Sequence, residues 1–294
     1  MVMSEAQGEL DVVVPPRLFT CTPSRLASWL DCPRRYRFTY IDRPMPPKGA
    51  PWAHNTVGAA VHQALASWWL LPEAARTPRA GGRLVRERWT PLGFRDDDQA
   101  QDWRERAAEM VERYTALLDP ADEPVGVERT VAMKTDRLAV SGRIDRLDRR
   151  GEELVVVDYK TGRHVLSTDD ARGSLALAIY ALAAARTMHL PCTRVELHHL
   201  PSGDVVVWEH TEATLARHLG RAHDIADEAA EARAVSSADE RNLDSAFPPR
   251  PGQLCTWCDF RAHCPEGQAA SPQRTLPWAG LPSDIASTVD DLVD

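Results

Sequence analysis

The sequence predicts an α/β fold in which a central mixed β-sheet is flanked by helices, and three observations lead to this prediction. The chain has 294 residues with a hydrophobic content of 43%, which is enough for one substantial domain with its own core. Several segments repeat apolar residues every three or four positions, as amphipathic helices do. Between them lie short, apolar, β-branched stretches that are typical of strands.

The N-terminal region is predicted to consist of a flexible leader and a short helix. Residues 1–19 are acidic and then rich in valine and proline, with no helical period. Thr22 and Pro23 form a helix start, with an N-cap residue before a proline in the first helical position. This helix is expected to end before Pro33, because proline disfavours a helical conformation in the residue that precedes it.

Two longer helices are predicted next, with a loop between them. Residues 53–69 place their apolar side chains at steps of three and four, which indicates one buried stripe. Residues 71–98 are rich in arginine and proline and are predicted to form a loop that serves as a lid or an insertion. A second amphipathic pattern over residues 100–118 predicts another helix.

Three strands form the predicted centre of the protein. They are expected at 125–133, 138–148 and 153–160, and a turn near Gly151 joins the last two. We expect a single domain over residues 20–265, including the cysteine-rich region, and an acidic, poorly ordered tail over residues 266–294. The other predicted elements are a helix at about 169–188, two short strands flanking 201–203 and an alanine-rich helix at about 211–233.

Composition and charge limit the classes of protein to which the chain can belong. No long apolar run is present, and the N-terminus is acidic where a secretory signal would be basic, so we expect a cytoplasmic protein that enters no membrane. In that reducing compartment the six cysteines are expected to be free or metal-bound, with Cys21 and Cys192 in the core. The net charge of -8 excludes a protein coated with positive charge, but it does not exclude a local basic groove. No Walker-type phosphate loop is present, so the chain is predicted to contain no ATP-driven motor.

The end of the third predicted strand carries the first candidate catalytic pair. An apolar run ends in Asp158 and Lys160, which are two residues apart and therefore share one face of the strand. An ordinary salt bridge at a strand end would use the same two residue types. The pair alone therefore does not identify an active site.

Two further side chains favour a metal site. Asp145 lies on the preceding strand, and a hairpin would bring it close enough to Asp158 for the two carboxylates to share a hard cation. His62, on the helix before them, would add a third ligand, and Gly58 leaves room one turn earlier. A lone histidine in such a position is more often a packing residue, so its role depends on the two aspartates. This combination favours metal-assisted hydrolysis of a phosphodiester, with Lys160 supporting the transition-state charge.

Three motifs, taken in order, resemble those of RecB-like nucleases of the PD-(D/E)XK superfamily. They are Gly58-Ala-Ala-Val-His62, Gly142-Arg-Ile-Asp145-Arg-Leu-Asp148 and Val157-Asp158-Tyr159-Lys160-Thr-Gly162. The resemblance implies that Mg²⁺ or Mn²⁺ is bound by His62, Asp145, Asp158 and the backbone carbonyl of Tyr159. It also implies that Lys160 is catalytic, together with Asp145 and Asp158.

The same resemblance leads to expectations about substrate contacts. In that family a helix follows with a glutamine four residues before a tyrosine, and Tyr180 matches the tyrosine. Ala176 stands where the family has the glutamine, which the family uses to position its substrate. Tyr180, Arg143 and Arg146 are predicted to bind the substrate.

The remaining cysteines predict a second metal site. Cys255, Cys258 and Cys264 form a compact thiolate cluster, and Cys32 lies near the other end of the chain. Such a cluster implies a metal with a fourth ligand from elsewhere, and zinc with His263 in place of Cys32 is one alternative. One upstream cysteine with three near the C-terminus resembles the arrangement in AddB-type and CRISPR-adaptation nucleases. That resemblance implies a 4Fe-4S cluster that joins the N- and C-terminal segments.

Taken together, the motifs predict a metal-dependent DNA nuclease. We expect an exonuclease that acts on single-stranded DNA or on DNA with free ends, in repair, recombination or defence. A separate helicase or repair protein is the expected partner, because no motor motif is present in this chain. The alternative is a non-catalytic nucleic-acid-binding module that keeps the nuclease fold and the metal cluster, which the departure at Ala176 would favour.

Overall fold

The computed structural model describes residues 18–273 and 275–281. In this part of the chain, a six-stranded sheet has helices on both of its faces. The predicted α/β class with a central mixed sheet is therefore confirmed. Residues 1–17 of the predicted leader lie outside the described residues, and Phe19 already belongs to the first strand.

Both parallel and antiparallel pairs occur in the sheet. Its strands are β1 (Phe19–Cys21), β2 (Gly126–Lys134), β3 (Leu138–Arg150), β4 (Glu153–Lys160), β5 (Arg194–His199) and β6 (Asp204–Glu209). The strand order is β1-β3-β4-β5-β6, and β2 also pairs with β3. β1 is parallel to β3 and β4 is parallel to β5, whereas the other pairs are antiparallel.

The helices include each long helix that the sequence predicts. They are α1 (Pro23–Asp31), α2 (Pro33–Tyr40), α3 (Ala53–Trp69), α4 (Pro78–Arg88), α5 (Asp97–Thr115), α6 (Thr168–Gly173), α7 (Leu175–Met188), α8 (Glu212–Ala238), α9 (Leu243–Ala246) and α10 (Pro265–Ala270). The helix predicted at 169–188 is divided at Ser174, whose side chain caps the N-terminus of α7. None of the described helices has both the length and the apolar character needed to span a membrane.

Helix α4 corrects the prediction of a loop over residues 71–98. Thr77 caps the helix by accepting a hydrogen bond from the N–H of Ala80. α4 packs closely on α5, since a Cβ added at Gly81 would lie 2.9 Å from Val111 Cγ1. Glycines disfavour a helix in isolation, so the sequence pattern concealed an element that tertiary packing stabilises.

Two apolar cores lie on opposite faces of the sheet. One contains Val156 and packs against α1, α7 and α8, whereas the other contains Val155 and Val157 and packs against α3, α4 and α5. Successive residues of β4 thus enter different cores, as the alternation of a strand requires. Cys21 and Cys192 are buried in the first core, as predicted.

The ordered domain extends beyond residue 265, which corrects the predicted start of the tail. Leu281 is only 6% exposed and belongs to the core beside α3. The carbonyl of Pro277 accepts a hydrogen bond of 3.1 Å from the N–H of Ala53. The rest of the predicted tail, residues 282–294, lies outside the described residues.

One edge of β3 is only partly covered by its neighbours. β2 pairs with residues 139–147 of β3, so β1 at residues 138–140 and β4 at residues 146–150 must share the opposite edge. Residues 141–145 pair with neither strand on that edge. The sheet therefore has a gap between β1 and β4.

Asp145 and Asp158 lie where β3 and β4 separate at this gap. The pairing of the two strands ends at Arg146 and Val157, and the two aspartates are the next residues on their strands. Diverging strands leave a cleft between them instead of continuing the hydrogen-bonded ladder. The sheet thus carries two carboxylates into one cleft.

Candidate active site

Helix α3 brings His62 to the cleft. His62 Nδ1 lies 3.2 Å from Asp145 Oδ1, and His62 Nε2 lies 3.1 Å from the carbonyl oxygen of Tyr159. Asp145 Oδ2 also accepts a hydrogen bond of 2.8 Å from the N–H of Tyr159. Three of the predicted metal ligands are therefore in direct contact.

Asp158 and Lys160 lie together on the neighbouring strand. Lys160 Nζ is 2.5 Å from Asp158 Oδ2, and the lysine side chain is 46% exposed, so its ammonium can reach an incoming group. Burial raises the pKa of Asp158, an effect that Lys160 opposes and the carboxylate of Asp145 reinforces. Asp158 thus lies close enough to Asp145 for their charges to interact.

The charge of the cleft also affects His62. Burial alone would lower the pKa of this imidazole, but the hydrogen bond and the negative charge of Asp145 raise it above its usual value. The charge of Asp158 acts in the same direction. The two carboxylates thus place negative charge beside His62, which favours a bound cation, and Lys160 partly opposes it.

Glu128 is a site residue that the sequence reasoning missed. One ligand atom each from His62, Glu128 and Asp145 lie within 4.8 Å of one another, and no other such group of His, Cys, Asp and Glu occurs in the described part of the chain. Glu128 is positioned opposite Asp145, because its neighbours on β2 pair with the neighbours of Asp145 on β3. Its φ of 49° lies in the left-handed region, which costs a non-glycine residue about 1–3 kcal/mol.

Arg143 neutralises Glu128 at the entrance of the cleft. Its Nε lies 2.6 Å from Glu128 Oε2, and its side chain is 69% exposed. Burial raises the pKa of Glu128, Arg143 opposes this effect, and Asp145 adds to it. Arg143 thus lies exposed at the cleft, and its role in substrate binding stays a prediction.

Arg146 does not lie in the cleft, which corrects its predicted role in substrate binding. It is only 4% exposed, and its Nε lies 3.0 Å from Asp148 Oδ1. Its guanidinium carbon lies 5.2 Å from the ring centroid of Trp69 in the core beside α3. Neighbouring residues of a strand point to opposite faces, so Arg146 points away from the face that Asp145 uses.

Tyr180 of α7 lines the cleft from the other side. The cleft opens into a groove of about 720 Å³ whose walls include His62, Arg143 and Tyr180. A Cβ at Gly142 would lie 2.4 Å from Tyr180 Cε1, so only glycine permits this approach of the ring to β3. The glycine of the second motif therefore makes room for the predicted substrate-binding tyrosine.

The donor atoms of the cleft fit a hard divalent cation. Carboxylate and carbonyl oxygens with one imidazole suit Mg²⁺ or Mn²⁺. An octahedral ion with bonds of about 2.1 Å places adjacent ligand atoms about 3 Å apart. His62 Nε2 and the Tyr159 oxygen, 3.1 Å apart, share a hydrogen bond in the structure, and a bound ion would take the place of this contact.

The four cysteines of the predicted second metal site line one cavity. They are Cys32, Cys255, Cys258 and Cys264. The backbone N–H of Arg250 donates to Cys32 Sγ at 3.4 Å, and that of Gly267 donates to Cys264 Sγ at 3.3 Å. A Cβ at Gly267 would lie 3.3 Å from the same sulfur, so the glycine leaves space beside it. Four thiolate donors around one cavity suit a metal group, but no three of these sulfurs lie within 4.8 Å of one another, which is wider than one zinc ion requires and leaves room for an iron-sulfur cluster.

His263 does not line this cavity. Its Nε2 lies 3.0 Å from the carbonyl oxygen of Pro47, with which it forms a hydrogen bond. Cys32, in contrast, lines the cavity from the junction of α1 and α2. The geometry thus favours Cys32 over His263 as the fourth ligand.

Comparisons with known proteins agree with this geometry. A family model described as the PD-(D/E)XK nuclease superfamily matches residues 20–265. A crystal structure described as a "Putative exonuclease" from Eubacterium rectale matches with a TM-score of 0.50 and 9% sequence identity, covering 88% of this chain and 94% of that chain. A search of curated proteins found no match. The structural likeness shows a common fold.

Proposed function

Because the chain belongs to the PD-(D/E)XK nuclease superfamily, we propose that it is a metal-dependent deoxyribonuclease. We infer that it acts as an exonuclease on single-stranded DNA or on DNA ends, in repair, recombination or defence. The observation that carries the proposal is the meeting of His62, Asp145 and the Tyr159 carbonyl beside the Asp158–Lys160 pair. Residues of all three motifs that resemble those of RecB-like nucleases are thus in contact, and His62 and Asp145 line one open groove.

The ligands of the proposed site come from three parts of the fold. His62 from α3, Asp145 from β3, and Asp158 with the Tyr159 carbonyl from β4 would hold Mg²⁺ or Mn²⁺, and Glu128 offers a further carboxylate. The bound cation supplies a Lewis acid that polarises a phosphoryl oxygen and lowers the pKa of water. The protein itself supplies a fixed geometry on strands and a helix.

Lys160 and Arg143 provide the positive charge that the reaction needs. The exposed ammonium of Lys160 can orient the attacking water and stabilise the negative charge that develops on the phosphate. Because the Arg143 side chain is largely exposed, it can leave its ion pair with Glu128 and bind a phosphate oxygen. A DNA strand that enters the groove would thus meet the positive charges of Lys160 and Arg143.

The cysteine cavity supports a 4Fe-4S cluster as the second part of the proposal. Backbone N–H groups already donate to two of the sulfurs, which is a contact that tunes such clusters. Zinc is the alternative metal for the same thiolates. A separate helicase or repair protein would deliver unwound DNA to this nuclease.

A cleavage assay tests the proposed function. Protein purified anaerobically would be incubated with end-labelled linear and circular DNA, single- and double-stranded, with Mg²⁺, with Mn²⁺ or without either. Asp158→Ala should abolish metal-dependent cleavage, whereas Asp169→Ala, at an exposed position of α6, should retain it. Degradation of linear but not circular strands would identify an exonuclease.

One observation favours a second candidate function. Ala176 lacks the amide that related nucleases use to position their substrate. DNA binding without cleavage under every metal would support a non-catalytic module and contradict the nuclease. Gain of cleavage in Ala176→Gln would then identify this position as the cause.

A further inference from the structure

A second groove continues from the active site along α3. The groove beside His62 and an adjoining groove of about 500 Å³ share Ala59, Gln63 and Arg88 in their walls. The adjoining part reaches Trp52 at the N-terminal end of α3. The two parts form one channel, which we term the α3 groove.

The floor of the α3 groove carries no negative charge. No Asp or Glu occurs among the 17 residues of α3, although 43 of the 294 residues in the chain are acidic. Asn55, Ala59 and Gln63 are exposed and follow one another at intervals of four, so they form one line along the helix. A polyanion can lie along this line without meeting a carboxylate of the helix.

The walls of the groove carry cations and an aromatic ring. Arg88 is exposed where the two parts join, and its nearest acidic partner, Glu87, is 3.9 Å away. Trp52 lines the outer part together with Lys48, whose half-exposed ammonium lies 4.0 Å from Asp259 Oδ2. The one carboxylate of the outer wall, Asp259, accepts a hydrogen bond of 3.1 Å from Trp52 Nε1. The outer part therefore combines positive charge with a surface on which a base can stack.

Hydrogen bonds and close packing fix the outer wall in place. Thr56 Oγ1 donates a hydrogen bond of 2.8 Å to the carbonyl of Leu92. A Cβ at Gly93 would lie 2.5 Å from the carbonyl oxygen of Pro51, so the backbones touch at this point. The wall thus belongs to the folded domain and is formed before any ligand arrives.

We propose that the α3 groove is the path by which one DNA strand reaches the metal site. The inference rests on the proposed function and adds the location and the length of the substrate contact. The ten residues from Ala53 to His62 rise about 14 Å, which equals about four stacked nucleotides. Volumes of about 720 and 500 Å³ give this channel room for the few nucleotides of one strand.

Binding measurements test this path without cleavage. The anaerobically purified protein would be titrated against fluorescein-labelled single-stranded (dT)12 in the absence of divalent cations, with anisotropy as the readout. Asn55→Asp adds a negative charge to the floor, and Arg88→Ala removes a cation from the wall. The matched controls are Gln101→Glu, at an exposed position of α5, and Arg83→Ala, at an exposed position of α4.

We expect each groove variant to weaken binding about five- to tenfold and each control to stay within about twofold of the unmodified protein. Arg88→Ala should also reduce the steepness of log Kd against log salt by about 0.7, as expected for one lost phosphate contact. Groove variants that bind like their controls, at unchanged melting temperatures, would overturn the proposed path. A duplex that binds equally tightly, with the same losses, would overturn the assignment to a single strand.

A parallel cleavage assay separates this inference from the proposed function. If the unmodified protein cuts DNA but the groove variants bind normally, the nuclease proposal holds and the path is wrong. If no metal supports cleavage but the groove variants bind weakly, the path holds and the nuclease proposal is wrong.

Discussion

Glu128 shows how one side chain can modify the proposed metal site. It lies opposite Asp145, shares a metal-sized space with His62, and holds a positive φ of 49°. We expect Glu128→Gln to raise the Mn²⁺ concentration for half-saturation about tenfold, because the site loses one anionic donor. Calorimetric titration with Mn²⁺ would measure this change independently of cleavage.

Glu209→Gln provides the matched control for Glu128→Gln. Glu209 is an exposed residue at the end of β6, so the same change of charge occurs away from the cleft. Its Mn²⁺ affinity should equal that of the unmodified protein. An unchanged affinity in Glu128→Gln as well would exclude Glu128 from the metal site.

The buried carboxylate of Glu196 makes the stability of the fold depend on pH. Glu196 is 2% exposed and is bonded to Arg150 at 2.6 Å, Arg194 at 2.8 Å and His198 at 3.0 Å. Burial alone would raise the pKa of Glu196, but the hydrogen bonds from His198, Arg150 and Arg194 lower it well below its usual range. Because the folded-state pKa is depressed, Glu196 stabilises the fold above about pH 4.3, its value in an unfolded chain. This contribution is lost as the pH falls below that value towards the lower folded-state pKa.

Glu196→Gln tests the sign of this effect. At pH 7 we expect it to lower the free energy of unfolding by about 1.5–3 kcal/mol, because the buried side chain loses its charge-assisted hydrogen bonds with Arg150 and Arg194, whose own side chains are partly exposed. Urea unfolding between pH 7 and pH 3 should show the unmodified protein losing stability faster than the variant, so that the two converge in acid. A difference that is constant over this range would contradict the prediction.

At the scale of single elements, the sequence predicted the helices and strands that have a strong apolar pattern of their own. α3 and β4 carry long apolar patterns that place His62 and Asp158, and Asp145 was placed on the preceding strand, β3. α4 was missed because its stability depends on contact with α5, which no local pattern reports. Glu128 was missed because its position depends on the register between β2 and β3 and on one unusual backbone angle.

The outer wall of the α3 groove depends on a backbone conformation at Gly93 that favours glycine. Gly93 has a φ of 87°, and a Cβ there would lie 2.5 Å from the carbonyl oxygen of Pro51. Gly151 has a φ of 65° but no atom within 4 Å of an added Cβ. Gly93→Ala should therefore lower the free energy of unfolding by at least about 1 kcal/mol more than Gly151→Ala. Both variants put a side chain at a positive φ, but only Gly93→Ala also adds a steric clash.

Thermal unfolding of both glycine variants measures this difference. An additional 1 kcal/mol corresponds to about 2–4 °C in the melting temperature of a domain of this size. Gly93→Ala should also weaken binding of single-stranded DNA, because it displaces the outer wall. Equal melting temperatures would show that the 90–94 segment moves aside without cost.

At the scale of the whole molecule, the cysteine cavity connects distant parts of the chain. Cys32 at the start of α2 meets Cys255, Cys258 and Cys264 across more than 200 residues of sequence. A metal group that joins them restricts the unfolded chain, and closing a loop of this length is worth about 5 kcal/mol in a chain-entropy treatment. The two large apolar cores lie elsewhere, and only a small cluster with Phe38 and Phe260 packs beside the cysteines, so the fold should persist at lower stability when the metal group is lost.

Cys32→Ser tests this connection, with Cys21→Ala as a control that alters a buried cysteine outside the cavity. We expect Cys32→Ser to lose iron and acid-labile sulfide and to melt well below the unmodified protein, whereas Cys21→Ala keeps its full metal content. Zinc without sulfide in the unmodified protein would replace the iron-sulfur assignment but leave the connection intact. Full metal content in Cys32→Ser would contradict this connection. The metal would then be held by the C-terminal cysteines alone, and it would not join the C-terminal segment to the start of the domain.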